Sequence, residues 1–505
     1  MVLDKSLTAE QVNWSTFTGH MKQAFLLGVA CCLVLVSAAQ GYRITARYKP
    51  VSNGYLYLGF YFGDKKFLHD SARLQADGSA VFSGEKALTG GLYLLIDPEK
   101  QRYFDILIDQ EQQFQLQIDT SRFTLAALSG SADNAQLDAY QKATQQLFRN
   151  VPALQQQRAT ASTRSDSARI EEQIQTAYRS AQAWRDSFVV AQPNSYLALL
   201  FRLLKEPLYD AANARNHADS IAAYQQYKQQ FWEGIPLSDE RLMRTPMFEQ
   251  RLTRYFEQVV VRHPDSLKRE VDRMILPSRS NPTMFRYYIT RFTNEYMNPK
   301  YMGLDVVFLH LFEKYYLTNQ VDWLDEKNRE LVYNRAYSLM GNIVGEPAAE
   351  LKLLDTRDQP VSLYNLPAPY TVLVFWDPDC GHCREQVPVI DSLHRNGWKQ
   401  QGVQLIGVLV DTIRNSPAAW PMVKAHWMQY IQEHKLENWK HLYQSYIQRQ
   451  QEIREHKPGF RQNYDVYQTP TIYLLDREKR ILAKKIGPEQ LNELLGSLQQ
   501  QRKNP

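Results

Sequence analysis

The sequence predicts a multidomain α+β protein, with an N-terminal β-sandwich, a central all-α domain and a C-terminal α/β domain. Three changes of texture carry that expectation. Short aromatic and β-branched runs separated by turn residues fill 42–120, apolar residues at helical spacing follow to about 340, and strands alternating with helices fill the rest. A chain of 505 residues has room for several domains of roughly 100–200 residues each. Its 22% charged and 44% hydrophobic residues allow large cores and exclude disorder over most of the length. The 59 Lys and Arg stand against 54 Asp and Glu with no basic block, so no nucleic-acid partner is expected.

Residues 21–40 read MKQAFLLGVACCLVLVSAAQ, with one lysine, an apolar run from Ala24 to Val36, then the small residues Ser37, Ala38 and Ala39. This is the layout of a secretory signal peptide. Residues 21–39 are therefore expected to be cleaved before Gln40, and residues 1–20 to be an overlong start. A retained membrane anchor would want about 20 apolar residues, more than the run holds. Cys31 suggests a lipoprotein less well, since it lies inside the apolar run and Gly28, not leucine, stands three before it. A soluble protein of the periplasm is the expectation. Cleavage removes Cys31 and Cys32 and leaves only Cys380 and Cys383, which excludes a structural disulfide framework.

Residues 40–128 are read as the β-sandwich-like domain. Tyr42–Tyr48, Tyr55–Phe62, Ala80–Ser83, Leu92–Ile96, Tyr103–Ile108 and Phe114–Ile118 are its strand candidates, and Asp77-Gly78 is a hairpin signal. Residues 129–340 are read as helical. Ile221, Tyr224, Tyr227 and Phe231 recur at helical spacing, as do Phe248, Leu252, Tyr255 and Val259, and Phe285, Ile289, Phe292 and Tyr296. Thr245 before Pro246 is a helix start. Gln155–Ser167, rich in Gln, Ser, Thr and Arg, is expected to connect helices. Residues 341–505 form the α/β domain, with strands at Leu351–Leu354, Val361–Leu363, Thr371–Trp376, Val403–Val410, Thr471–Leu475 and Ile481–Ile486, and a last helix from about Glu489.

Specific chemistry is confined to Val372–Pro388, where an apolar strand runs into Cys380-Gly381-His382-Cys383 at a helix start. Residues three apart on a helix share a face, so the two cysteines can reach disulfide geometry with Cα atoms roughly 5.5 Å apart. Cys380 sits where unpaired backbone amides and the helix dipole favour a thiolate, which makes it the nucleophile. The segment resembles the thioredoxin fold, and within it the TlpA/ResA-like envelope thiol-disulfide oxidoreductases. Phe375-Trp376 precede the pair as in that family, and Pro388 lies five after Cys383 like its helix-kinking proline. Thr469-Pro470-Thr471 before Ile472–Asp476 matches its cis-proline loop and closing strand, and Gly345–Ala349 looks like the start of its first hairpin. The resemblance covers about 341–500 and implies a thioredoxin-like domain. With its leading β and helical domains, the whole chain looks like multidomain envelope proteins of Gram-negative bacteria. Two departures stand out. Val374 occupies the place of the buried aspartate that takes the second cysteine's proton in cytosolic thioredoxins, and residues 412–464 are expected to form an insertion.

Other uses of the pair fit less well. Zinc wants about four ligands, and no second Cys-x-x-Cys exists. Haem attachment would need histidine where Arg384 stands, and a peroxidatic centre would want threonine or serine where Asp377 stands. A copper carrier using both thiols and a remote histidine such as His426 remains as an alternative. So does a non-catalytic binding or assembly protein with a redox-sensing dithiol. The Gly381-His382 dipeptide is that of protein disulfide isomerase, whose potential is ~−180 mV against ~−270 mV for thioredoxin. Protonated His382 would favour the reduced form while Asp377 and Asp379 oppose it, so the direction of electron flow stays open. The expected function is thiol-disulfide exchange on protein substrates in the cell envelope, with a membrane redox partner and without cofactor or metal. Cys380 attacks and Cys383 resolves. The resemblance implies a groove for an extended client at Thr469 and Pro470, with Trp376 as an apolar wall.

Overall fold

The structure is a computed structural model, described for residues 41–49, 54–119, 121–205, 207, 209, 214–410 and 417–503. The expected leader, with Cys31 and Cys32, lies outside the described residues. Two compact units divide the chain, Met1–Val259 and Val260–Pro505, so their boundary falls inside the stretch read as helical.

The first unit opens with β1 (Tyr42–Lys49), β2 (Tyr55–Phe62), β3 (Lys65–Arg73), β4 (Ser79–Gly84), β5 (Gly91–Ile96), β6 (Tyr103–Ile108), β7 (Gln113–Asp119) and β8 (Thr124–Ser129), and buried and exposed side chains alternate most clearly along β1 and β7. They form two four-stranded sheets, ordered β4-β1-β7-β8 and β3-β2-β5-β6. Ile44, Phe82 and Leu116 of one sheet share a core with Leu56, Tyr93 and Ile106 of the other, which makes the pair a sandwich. The sequence pattern does not single out β3 and β8. Both are edge strands with mostly exposed side chains, so neither shows the alternation that marks a half-buried strand.

Helices α1 (Ala132–Phe148), α2 (Val151–Ala159), α3 (Arg164–Ala191), α4 (Tyr196–Leu204), α5 (His217–Gln230) and α6 (Pro246–Arg254) complete this unit. Gln155–Ser167 is mostly helix rather than connection, because α2 runs to Ala159 and α3 starts at Arg164 with Thr163 as its cap. Glutamine and arginine are good helix formers, and here that preference outweighs the polar composition. Thr245 caps α6 and Pro246 occupies its first turn. Asn134 fastens α1 to β6, donating to Leu107 O at 2.6 Å and accepting from Leu107 N at 2.8 Å. Buried Arg251 donates to Leu203 O at 2.9 Å and Phe231 O at 3.0 Å, at the C-terminal ends of α4 and α5, where a cation suits the helix dipole.

The second unit opens with α7 (Pro264–Ser278), α8 (Pro282–Met297), α9 (Asp305–Leu311) and α10 (Glu326–Met340). A seven-stranded sheet follows from β9 (Lys352–Asp355), β10 (Pro360–Ser362), β11 (Tyr370–Trp376), β12 (Val403–Leu409), β13 (Lys440–Tyr443), β14 (Thr471–Leu475) and β15 (Ile481–Lys484). Its order is β10-β9-β13-β12-β11-β14-β15, with β11, β12 and β13 parallel. Helices α11 (Gly381–Asn396), α12 (Trp420–Glu433), α13 (Tyr446–Arg454), α14 (Phe460–Asn463) and α15 (Pro488–Lys503) accompany the sheet. The described part of the expected insertion thus holds three helices and β13, a strand inside the sheet between β12 and β9.

All seven residues of β11 are buried, as a strand covered on both faces requires. Val372, Val374 and Trp376 pack in one cluster with Cys383 and Val387, whereas Leu373 and Phe375 pack with Tyr464 and Tyr473. Lys484 on β15 is buried and donates to Asn342 O and Oδ1, each at 2.7 Å, while also pairing with Asp305 at the start of α9. That ion pair joins the helices of this unit to its sheet. Among the described residues no helix is long and apolar enough to cross a membrane.

Candidate functional site

Strand β11 ends at Trp376, and the turn that follows delivers two free thiols to the start of α11. Cys380 is the residue before the helix, in extended conformation (φ −80°, ψ 123°). Its N–H donates to Asp377 O at 3.1 Å, and its carbonyl accepts from Arg384 N at 3.1 Å. The Cys380 thiol is half-buried and donates from Sγ to Thr469 O at 3.2 Å. Cys383, one turn into the helix, is 1% exposed and accepts from Asp377 N at 3.5 Å. The Thr469–Pro470 bond is cis, and Pro388 lies within α11.

The two thiols differ in acidity for physical reasons. Burial opposes ionisation of Cys380. The Thr469 side chain, the Cys383 N–H and thiol, and the His382 N–H outweigh it, holding Cys380 below the ordinary 9.0. Two of these donors are first-turn amides of α11, which have no partner within the helix. Cys383 is pushed up to about 12, above all by burial, with the neighbouring Cys380 adding to it, against the favourable Asp377 N–H and Thr469 side chain. The outer sulfur is primed as a thiolate and the inner one is stored as a thiol.

The other expected site residues divide into those near the sulfurs and one that turns away. A Cβ on Gly381 would meet nothing within 4 Å, so space does not demand glycine there. His382 is exposed, with Nδ1 3.8 Å from Glu385 Oε2. Asp377 Oδ1 accepts from Asp379 N at 2.8 Å. Asp379 Oδ1 lies 3.6 Å from Arg384 Nη2 and 3.7 Å from His426 Nδ1. Trp376 is not a groove wall. It is fully buried, with its ring centroid 5.4 Å from Tyr430 and 6.1 Å from His441, because strand parity puts it on the core face beneath α11 with Val372 and Val374. Among the described residues, no group of three or more His, Cys, Asp or Glu is placed to hold a metal ion.

Residues 344–484 match the model of the AhpC/TSA family. The C-terminal domain is thioredoxin-like. Residues 42–137 match a domain of unknown function, DUF4369. The chain is similar to a domain of a possible thiol-disulfide isomerase from Cytophaga hutchinsonii, at 29% identity over 32% of this chain and 97% of that one, with TM-score 0.26. A thioredoxin-like protein from Bacteroides caccae matches at 16% identity, covering 59% of this chain and 92% of that one, with TM-score 0.33. A thiol:disulfide interchange protein from a Bacteroides species matches at 23% identity over 31% and 91%, with TM-score 0.25. No curated protein matches the chain.

The thioredoxin-like domain also brings up residues that sequence reasoning missed. Tyr430 of α12 and His441 of β13 pack around Trp376, above the core that holds Cys383. A signal for α12 was present, since Trp420, Val423, Trp427, Tyr430 and Ile431 follow helical spacing. Lys440–Tyr443 is too short to announce itself as a strand.

Proposed function

We propose that this chain is a thiol-disulfide oxidoreductase acting on protein disulfides in the cell envelope, with Cys380 as nucleophile and Cys383 as resolving thiol. The observation that carries the reading is the contrast between the two sulfurs across one helical turn, with Cys380 held against the cis-proline loop through Thr469. In the reducing direction, the Cys380 thiolate attacks a client disulfide, forming a mixed disulfide and expelling one client thiolate. Cys383 then attacks Cys380 and expels the second. The client gains two electrons, and the protein keeps a Cys380–Cys383 disulfide. Run backwards, the same steps oxidise a client dithiol. Asp377, three residues before Cys380, favours this exchange over peroxide chemistry, which wants a hydroxyl there. The leader expected at 21–39 supports an envelope location, where a membrane redox partner would restore the dithiol.

Insulin reduction tests the reading. The reduced protein is expected to precipitate insulin chains in the presence of a thiol reductant, and Cys380→Ser to abolish the activity. Wild-type turnover by the serine variant would remove Cys380 from its role.

A further inference from the structure

The loop that carries Thr469 decides what a client meets beside Cys380. The Thr469 carbonyl accepts from Cys380 Sγ at 3.2 Å, and its side chain bears on both sulfurs. The chain reaches this loop from α14 through residues 463–468, and that segment is held from outside the sheet. Its alternate residues Asn463, Asp465 and Tyr467 are gripped by Asn342, Arg335 and Ser338. Arg335 and Ser338 stand three apart on α10, and Asn342 follows four residues later, just past its end, so one stripe of the helix and its terminus face the segment. In the chain, α10 precedes the thioredoxin-like domain.

The central contact is an ion pair. Arg335 Nη1 lies 2.5 Å from Asp465 Oδ2, and its Nε donates to Met297 O, at the end of α8, at 3.0 Å. Asp465 is 1% exposed and left-handed (φ 49°), and the same Oδ2 also pairs with Lys485, just after β15. A carboxylate so deeply buried cannot leave its cations without a large desolvation penalty, so residue 465 is fixed from two sides. A buried ion pair often adds little stability over apolar side chains of the same size, and what it does add is a fixed position. Ser338 Oγ and the Tyr467 hydroxyl lie 3.1 Å apart, and Asn342 Nδ2 donates to Asn463 O at 3.1 Å. Gly341 belongs to the same fit, since a Cβ there would stand 3.1 Å from Asn463 O. On the far side, Thr471 Oγ1 donates to Gln468 O at 2.6 Å, so Thr469 follows directly on a segment anchored along its length.

We propose that Arg335 is a positioning residue for client binding: by holding Asp465 it sets the segment that presents Thr469 to a protein disulfide docking at Cys380. The inference rests on the oxidoreductase reading and extends it to the helices ahead of the thioredoxin-like domain. Arg335 makes its contacts with Met297 and Asp465, away from the sulfurs, so it acts on how an extended polypeptide is received and not on the chemistry of Cys380. Tyr467, 72% exposed although its hydroxyl is held by Ser338, offers the same client an aromatic face two residues before Thr469.

Two disulfides of different size separate positioning from chemistry in the full chain. Insulin must dock on the loop, whereas 5,5′-dithiobis(2-nitrobenzoic acid) needs only an accessible Cys380 and releases a coloured thiol when attacked. Arg335→Met removes the guanidinium and leaves Asp465 paired with Lys485. It is expected to raise KM for insulin about tenfold with little change in kcat, and so to lower the ratio of insulin to aromatic-disulfide rates by the same factor. Arg335→Lys, which keeps a cation at Asp465, should recover most of that loss; no recovery would place the effect elsewhere than at Asp465 and overturn the proposal. An unchanged KM for folded Arg335→Met also overturns it, as does an equal fall in both rates that tracks a lowered melting temperature, which would make the residue merely structural. If Arg335→Met does not fold, Ser338→Ala decides, because it frees Tyr467 without touching a buried charge. That variant should raise KM about threefold, the worth of one hydrogen bond, and an unchanged KM overturns the role of α10. The oxidoreductase reading fails on a different result, insulin turnover by Cys380→Ser.

Discussion

The difference between the two sulfurs sets a measurable alkylation ratio. With Cys383 near 12, its thiolate fraction at pH 7 is about 10⁻⁵, whereas a thiol below 9.0 is ionised to more than about 10⁻². Thiolate abundance therefore favours Cys380 by more than ~10³. Part of that is lost, because nucleophilicity rises with basicity at a slope of about 0.4–0.5, which over three units returns roughly 15–30-fold to Cys383. At least a ~30-fold preference remains. Exposure acts in the same direction, since Cys383 is 1% exposed and Cys380 half-buried. Limiting iodoacetamide on the reduced protein, followed by peptide mass spectrometry, reads the ratio. The Cys383 rate, measured in Cys380→Ser, should keep rising about tenfold per pH unit well past pH 9, while the Cys380 rate levels off below it. Equal labelling at pH 7 would refute the reasoning, as would a Cys383 plateau near pH 9.

Other perturbations follow from the same geometry. Cys383→Ala should accumulate disulfide-linked clients in envelope extracts, visible as bands that collapse on reduction; a folded variant that captures nothing counts against the exchange reading. Gly407→Ala would place a Cβ 2.8 Å from Trp376 Nε1 and 2.9 Å from His441 Nδ1. Overpacking of that kind costs about 1–3 kcal/mol, so a denaturant midpoint equal to wild type would contradict the register that sets Gly407 between Val374 on β11 and His441 on β13. His382→Pro removes the imidazole beside the dithiol and should lower the reduction potential by about 30 mV or more, measured against glutathione buffers.

The parts of this protein that could be read from its sequence are those whose signals are local. Cys380, Cys383 and Pro470 each carry a short motif, the stripe ending at Tyr296 lies along the single helix α8, and the one ending at Val259 runs from α6 into the π-helical turn Tyr255–Val259 that follows it. Trp376 was assigned to the wrong side for a physical reason. A strand buried on both faces reads as one apolar run, so nothing in Tyr370–Trp376 tells which alternate residues meet the dithiol helix and which meet Tyr464. Edge strands β3 and β8 fail in the opposite way, with so few buried residues that no alternation survives. His441 depends on pairings between three strands, and register is not a property of any one of them.

The two departures from the thioredoxin pattern are physically one. Replacing a buried carboxylate by Val374 leaves an apolar row, and Gly407 beside it has no side chain to fill the face. The space is closed by residues of the expected insertion, since Trp427 and Tyr430 come from α12 and His441 from β13. Trp376 Nε1, Trp427 Nε1, Tyr430 Oη and His441 Nδ1 all lack partners there. Such a cluster is costly in a core built only for stability. The two indole N–H groups and the Tyr430 hydroxyl are neutral donors, whereas His441 Nδ1 is the acceptor of a neutral ring whose Nε2 donates to Leu436 O. The insertion therefore extends the sheet and at the same time supplies the polar lining that Val374 gives up.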